Sequence, residues 1–436
     1  MKRLIMTVCF LLVFVPQGLG HAGAKEDYEQ AYKIYVAAGA CMSAYSDRYG
    51  QLANKYLEQE GWRLDHYEKA GGSVDARFLL ASKVSDLGQP MFVLAFVGTE
   101  NVKDMQANLK WDKVYFAGTN LEEFAENAAK PLVPATEPKV HRGFHEFVQA
   151  GLTVKTQDAD GESHYLSEIL AANQDRKIYL VGHSRGGAAA TLAGARLVSM
   201  GVKPEQIEII TFGAPAIGNA AFAARFEPVL NLTRIVISGD PVTGVLQTLV
   251  GGYKQFGREI LWESTSDQAH DITEYADLAM KHYYDARFQA EKAGIIRPAD
   301  KAADGAGGGR TFIAPLKNSL QGPQAKEFWY IEQALKDEYR RVIPRYVFAD
   351  GSAANHLLKR AAQAGCKWLV VPEVGGYQLK DERNVYFISL MQTVYDVTTG
   401  EIVKTELFST GTYSLTPLEA FIHVSKGMDY DWLTKK

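Results

Sequence analysis

Cysteine is scarce in this sequence: three in 436 residues, at positions 9, 41 and 366. That is too few for a disulfide framework, and the Cys/His spacing of a zinc site is missing, so no metal is expected. Cys41 and Cys366 have small or apolar neighbours (Ala40 and Met42; Gly365 and Trp368), which suits two separate buried thiols better than one bridge. An excess of charge of either sign is also missing. The formal net charge of −4 excludes the strongly basic footprint of a nucleic-acid surface. No glycine-rich phosphate loop appears, and no cofactor is expected. Internal repeats are absent.

What is present is an ordinary globular balance, 47% hydrophobic and 22% charged, with chain enough for roughly two to three domains. Lys2 and Arg3 precede an apolar run from Leu4 to Val15, and Ala22-Gly23-Ala24 supplies small residues at alternate positions. This is the pattern of a signal peptide over 1–24, too short in its apolar part to span a bilayer comfortably. Cys9 lies inside the apolar run, which argues against a lipoprotein anchor. A secreted or periplasmic, bacterial-envelope location is expected.

The stretch Ile295 to Arg310, with Gly305-Ala306-Gly307-Gly308-Gly309 at its heart, reads as a linker. It separates a region of 25–294 from a C-terminal region of 311–436. In the first, Tyr28–Tyr49 has helical periodicity. Strands are expected at Phe78–Val84, Met91–Val97, Lys177–Val181, Ile207–Phe212 and Thr233–Ser238. Helices are expected at Phe144–Val154, Ala188–Ser199 and Ala220–Phe226. Helical patterns between buried strands predict an α/β fold with a mainly parallel sheet and crossover helices. Its site should lie beyond the carboxyl ends of the strands.

The most informative stretch falls there. Tyr179-Leu180-Val181 runs into Gly182-His183-Ser184-Arg185-Gly186-Gly187, followed by an alanine-rich helix. A strand, a turn so tight that only glycine fits beside the serine, and a helix whose N-terminus favours developing negative charge make a nucleophile elbow. A serine hydroxyl needs a base and a carboxylate that fixes the base's tautomer. Asp240 ends the buried run Arg234–Ser238 in Gly-Asp-Pro, where Pro241 stops the ladder. For the base, His270 and His282 both follow Asp240 and precede the linker. His282 follows an apolar helical stretch and is preferred to His270, which stands in the polar run Asp267–Asp271. His183, adjacent to the serine, points away from Ser184 Oγ and is expected to bond locally. Two N–H donors should face the reacting oxygen: the amide of Arg185, and Thr99 after the strand Ala95-Phe96-Val97-Gly98.

The ordered segments Phe96–Thr99, Val140–Phe144, Gly182–Gly187, Thr211–Asn219 and Gly239–Val242 together resemble the class 3 (fungal-type) lipase family of α/β-hydrolases. The resemblance implies lipase, esterase or phospholipase activity. It implies Ser184 as nucleophile, Asp240 as orienting acid, His282 as base, and Thr99 with Arg185 as oxyanion donors. A lipid or acyl-ester substrate and transient contact with a membrane surface follow from it. Arg185 stands where the family usually has Leu, and Ala216 where it often has Arg. A guanidinium at the mouth is expected to favour anionic substrates. Trp111 to Lys139, aromatic among acidic residues, reads either as a lid or pocket wall or as a packed surface helix.

In the C-terminal region, strands are expected at Thr311–Pro315, Arg345–Phe348, Trp368–Glu373, Tyr386–Val397 and Ile402–Ser409. Helices are expected at Glu327–Arg341 and Ala353–Ala364. This small α/β domain resembles the N-terminal TolB-like domains of bacterial envelope proteins, which implies an envelope protein partner through 311–436. Two other functions remain open: a short-chain esterase or thioesterase on the same triad, and a non-catalytic interaction protein on a hydrolase scaffold.

Overall fold

The computed structural model describes residues 17–69, 76–84, 90–98, 112–152, 155–157, 163–172, 175–264, 268–296, 309–349, 356–379, 385–413 and 415–434. The apolar run of the expected signal peptide and most of the expected linker lie outside them. Among the described residues, no helix is long and apolar enough to cross a membrane.

The chain opens with two helices, Gln17–Ser43 (α1) and Arg48–Gln59 (α2), the second capped by Asp47, whose carboxylate accepts from the Gly50 amide. Seven strands then form one sheet, side by side in chain order: Arg63–Lys69 (β1), Ala76–Val84 (β2), Pro90–Phe96 (β3), Lys177–His183 (β4), Ile207–Phe212 (β5), Asn231–Ile237 (β6) and Arg258–Trp262 (β7). The pairings β1 with β2 and β2 with β3 are antiparallel, and every pairing from β3 to β7 is parallel. Parallel strands must be buried on both faces, and alternate residues divide accordingly. Leu94, Phe96, Ile178, Leu180 and Ile209 face one core. Val93, Ala95, Val181, Ile210 and Ile235 face the other.

Helices cover the two faces. Leu121–Ala128 (α3), Arg142–Leu152 (α4), Leu166–Ala172 (α5), Arg185–Ser199 (α6) and Ala220–Phe226 (α7) contribute to the first core. On α6 the small residues let side chains of the sheet reach the helix backbone: a Cβ on Gly194 would come within 2.5 Å of Ile209 Cδ1. The second core is closed by α1 and by Ile272–Lys292 (α8). The result is a three-layer α/β sandwich with a mainly parallel sheet. β1 with α2, and β7, were not anticipated. β1 carries five charged or polar residues in its seven (Arg63-Leu-Asp-His-Tyr-Glu-Lys69), which hides an edge strand from a hydropathy reading.

The C-terminal region builds a second sheet from Thr311–Ile313 (β8), Lys317–Leu320 (β9), Tyr346–Phe348 (β10), Trp368–Gln378 (β11), Tyr386–Asp396 (β12) and Ile402–Thr412 (β13), ordered β10-β8-β11-β12-β13 with β9 on the end of β11. Phe328–Val342 (α9), Leu357–Gln363 (α10) and Pro417–Lys426 (α11) accompany it. α11 was not anticipated, although it opens with the capping box Thr416–Glu419 and Pro417 in its first turn. Met280 and Tyr284 of α8 are built into the hydrophobic core of this second sheet. The two regions therefore share a helix. Cys41 and Cys366 are free, buried and in different cores.

Candidate active site

β4, β5 and β6 are parallel neighbours, so their carboxyl ends deliver three residues side by side: Ser184 after β4, Gly213 after β5 and Asp240 after β6. Strands lie roughly 4.8 Å apart, which puts the first and third ends about 10 Å from one another. Only a side chain lying across the middle strand can touch both. His270, on the loop between β7 and α8, does so. Its Nδ1 lies 2.9 Å from each carboxylate oxygen of Asp240, and its Nε2 lies 3.0 Å from Ser184 Oγ. A carboxylate only accepts, so the proton of the neutral ring sits on Nδ1 and the Nε2 lone pair faces the hydroxyl.

Each member is held by further contacts. Asp240 Oδ2 accepts from the Tyr275 hydroxyl at 2.7 Å, and Oδ1 accepts from the Val242 amide at 2.8 Å. Burial, reinforced by the Asp240 carboxylate, pushes the Tyr275 hydroxyl far above its usual range, so it remains a donor. His183 Nε2 donates to the carbonyl oxygen of His270 at 2.8 Å, and its Nδ1 accepts from the Tyr45 hydroxyl at 2.8 Å. Burial, with the neighbouring His270 ring, holds His183 well below the usual histidine range, and it stays neutral.

The elbow has the strain its sequence predicts. Ser184 has φ 55° and ψ −127°, a region that non-glycine residues enter at a cost of about 1–3 kcal/mol. The flanking glycines are sterically required. A Cβ on Gly182 would come within 2.2 Å of the Gly186 carbonyl carbon, and one on Gly186 within 2.1 Å of the Phe96 carbonyl oxygen. Gly213, at φ 57°, lies directly beneath the triad, where a Cβ would approach Asp240 Oδ2 to 2.6 Å and His270 Nδ1 to 3.2 Å.

A serine raised on a strained elbow, with a histidine bridging it to a carboxylate two strands away, is equipped for acyl transfer. Residues 93–249 match the family model for lipase (class 3). Over those residues the chain is similar to the class 3 lipase family. Among curated relatives, a lipase of Caenorhabditis elegans is 38% identical over 82 residues, 18% of this chain and 23% of that one. Phospholipase A1-II 4 of Oryza sativa subsp. japonica is 28% identical over 238 residues, covering 47% of this chain and 57% of its own. The chain thus spans about a quarter of the first and just over half of the second. Among solved structures, the triacylglyceride lipase of Rhizomucor miehei aligns over 53% of this chain and 80% of its own, with 19% identity and a TM-score of 0.40.

Within the region of 25–294 the structure corrects the choice of histidine. His282 does not reach the serine. It lies roughly three turns further along α8, exposed, its ring stacked on Trp262 at 4.6 Å. His270 takes the place next to Ser184. Thr99 lies outside the described residues, as does Trp111. The Arg185 amide begins α6 immediately after the nucleophile. The Arg185 guanidinium does not stand free at a mouth: Nη2 donates to the Gly98 carbonyl at 3.1 Å, and the group lies 4.8 Å over the Phe147 ring. Between 112 and 139 the packed-helix reading holds for α3. Phe116 and Phe124 are buried, 5.1 Å apart, and Phe116 meets Phe222 and Phe226 edge-on. Gly213, Tyr275 and Tyr45 were missed as site residues. Gly213 had a legible signal, since it follows a buried strand directly.

Proposed function

We propose that this protein hydrolyses carboxylic esters of lipids through an acyl-enzyme on Ser184. The observation that carries the reading is the unbroken chain Asp240–His270–Ser184, closed at 2.9 and 3.0 Å. Ser184 Oγ attacks the ester carbonyl carbon while its proton passes to His270 Nε2. The carbonyl oxygen takes up the negative charge facing the Arg185 amide, at the positive end of α6. Collapse expels the alcohol oxygen, which takes the proton from His270. Water then gives a proton to the same nitrogen and attacks the acyl carbon. The acid leaves, and the proton returns to Ser184. Asp240 keeps the ring in the tautomer each step needs. The likeness to chains named lipase and phospholipase A1 supports a lipid ester as substrate.

A fluorophosphonate probe tests the chemistry. It should label Ser184 in the wild type and in His282→Ala, and fail on Ser184→Ala and His270→Ala. Undiminished labelling of His270→Ala would remove the triad reading. A series of p-nitrophenyl esters of increasing acyl length tests the substrate class. Activity rising with length supports lipid esters, and a maximum at two to four carbons (on the order of a short-chain esterase preference) assigns the short-chain alternative instead. Export to the bacterial envelope, transient membrane-surface contact and a protein partner through 311–436 belong to the same proposal. Fractionation of the native host, with labelled protein in the cytosol as the contrary result, tests the first.

A further inference from the structure

A cavity of about 110 Å³ lies where the two regions meet, walled by α1, α2, α8 and α11. Met42, Leu57, Met280 and Ile422 give it an aliphatic lining. An apolar cavity of roughly 150 Å³ takes benzene, so this one has room for a short hydrocarbon chain. Gly39 of α1 is part of the wall, and glycine weakens a helix relative to alanine. Packing does not require it, because a Cβ there would touch only Leu57 Cδ2, at an ordinary 3.8 Å. What the glycine preserves is the space. Most polar side chains of the wall have partners. Tyr56 and His423 share a hydrogen bond at 3.0 Å, Lys426 pairs with Glu338 at 3.5 Å, and Glu60 is exposed to water. Glu419 is different. It is only 7% exposed, and its Oε2 accepts from the Thr416 amide at 3.0 Å, but among the described residues Oε1 has no hydrogen-bond partner. Burial, with the Asp277 carboxylate nearby, holds this carboxyl well above the usual range. Its proton stays on at neutral pH, and Oε1, which takes no amide, carries it.

We propose that this cavity binds a small uncharged aliphatic molecule with one oxygen, of the alcohol class, its chain against Met42 and Met280 and its oxygen on Glu419 Oε1. None of these residues belongs to the triad. A buried donor without an acceptor is costly, and a ligand oxygen relieves that cost. An anionic head does not suit the site. It would add to the negative charge of Glu60 and Asp277, and Lys426 is already committed to Glu338. A ligand held between α1 and α2 on one side and α11 on the other binds only the folded chain, and so stabilises it.

The test uses the full chain and a short alkanol carrying a diazirine, cross-linked by light and mapped by peptide mass. Cross-links are expected in peptides covering 35–57 and 415–426, and unlabelled hexanol should compete. Hexanoate should compete about tenfold less well, because its charge would have to be buried. Glu419→Leu removes the donor and should weaken hexanol about tenfold, whereas Glu419→Gln keeps a donor and the capping box and should stay within about threefold of wild type. Gly39→Leu fills the space and should abolish the cross-link. Should leucine prove too large to fold, Gly39→Ala adds one methyl group. It should raise the melting temperature of the protein without ligand and weaken hexanol about threefold. Cross-links confined to peptides around Ser184, or labelling unchanged in both glycine variants, overturn the proposal. So does hexanoate competing as well as hexanol, or Glu419→Leu binding hexanol as wild type does.

Discussion

His183 Nε2 donates to the backbone carbonyl of His270 at 2.8 Å. The residue beside the nucleophile thus holds the base by its main chain, and neither ring nitrogen of His270 is diverted from Ser184 or Asp240. The Tyr45 hydroxyl, 2.8 Å from His183 Nδ1, sets the tautomer that makes this possible. His183→Phe keeps the bulk and removes the donor, so the loop carrying His270 loses its anchor. The expected result is kcat down roughly ten- to a hundredfold, within the range of general base catalysis. Tyr45→Phe, which leaves the His183 ring in place, should lose only a few-fold. Steady-state kinetics on one ester, with circular dichroism to confirm folding, checks both. Equal activity in His183→Phe and wild type would show that packing alone holds His270.

Gly213 is the position where one methyl group should do most harm. A Cβ there would sit 2.6 Å from Asp240 Oδ2 and 3.0 Å from the Tyr275 hydroxyl, on a backbone at φ 57°. Gly213→Ala should therefore push the carboxylate off His270 and cost about 1–2 kcal/mol in backbone strain. A loss in kcat/KM on the order of 100-fold is expected, with the fluorophosphonate rate falling in step. Retained activity would mean that the end of β5 can shift without disturbing β6.

The legible and illegible parts of this molecule divide along physical lines. Buried parallel strands announce themselves, so Ile207–Phe212 falls where the sequence places it, as does the helix Ala220–Phe226 that follows, and Ser184 and Asp240 are found by following strands to their ends. The ring that meets Ser184 is harder to read because a connection supplies it. His270 must lean across β5 from a loop, and a polar stretch such as Gln268-Ala269-His270-Asp271 looks like solvent-facing filler. The apolar periodicity beside His282 looked more purposeful, but its source is α8 packing against two cores. Hydropathy reports which side of a helix is buried. It does not report which loop reaches back over a sheet.

Acid should weaken the fold through histidines buried as neutral rings. Burial lowers His141 to about 4, and burial with Arg196 and Arg142 lowers His145 to about 3. His183 moves the same way. Each is depressed below its unfolded value of 6.5, so as pH falls the unfolded chain binds protons that the folded chain refuses. Stability is thus complete above about pH 6.5 and declines toward pH 4, at ~1.4 kcal/mol per pH unit for each such ring. Asp277, raised to about 6 by burial, opposes this together with Glu60, Asp271 and Glu419, which burial also raises, while His66, His282 and His423 are lowered by burial and add to the loss. The urea midpoint should fall between pH 7 and pH 4.5. In His145→Gln, whose amide oxygen can accept from Arg196 as His145 Nδ1 does at 2.9 Å, it should fall less. A flat midpoint over that range would mean that these rings protonate without unfolding.

The shared helix predicts how the two regions melt. α8 begins two residues after His270, contributes Tyr275 to the site, and then buries Met280 and Tyr284 in the second core. Asp277, between them, accepts from the Thr416 hydroxyl at 2.8 Å and pairs with Lys281 at 2.7 Å, so a polar junction is buried there too. Tyr284→Ala opens a cavity in the C-terminal core alone, at a cost of about 3 kcal/mol or more. If α8 transmits that loss, calorimetry will show one transition moved down as a unit, and fluorophosphonate labelling of Ser184 will vanish at the same lowered temperature. Two separate transitions, with labelling lost only at the second, would make the outer region an appendage. Because one end of α8 holds the Asp240 carboxylate through Tyr275 and its other end fills the neighbouring core, the single lowered transition is the expected outcome.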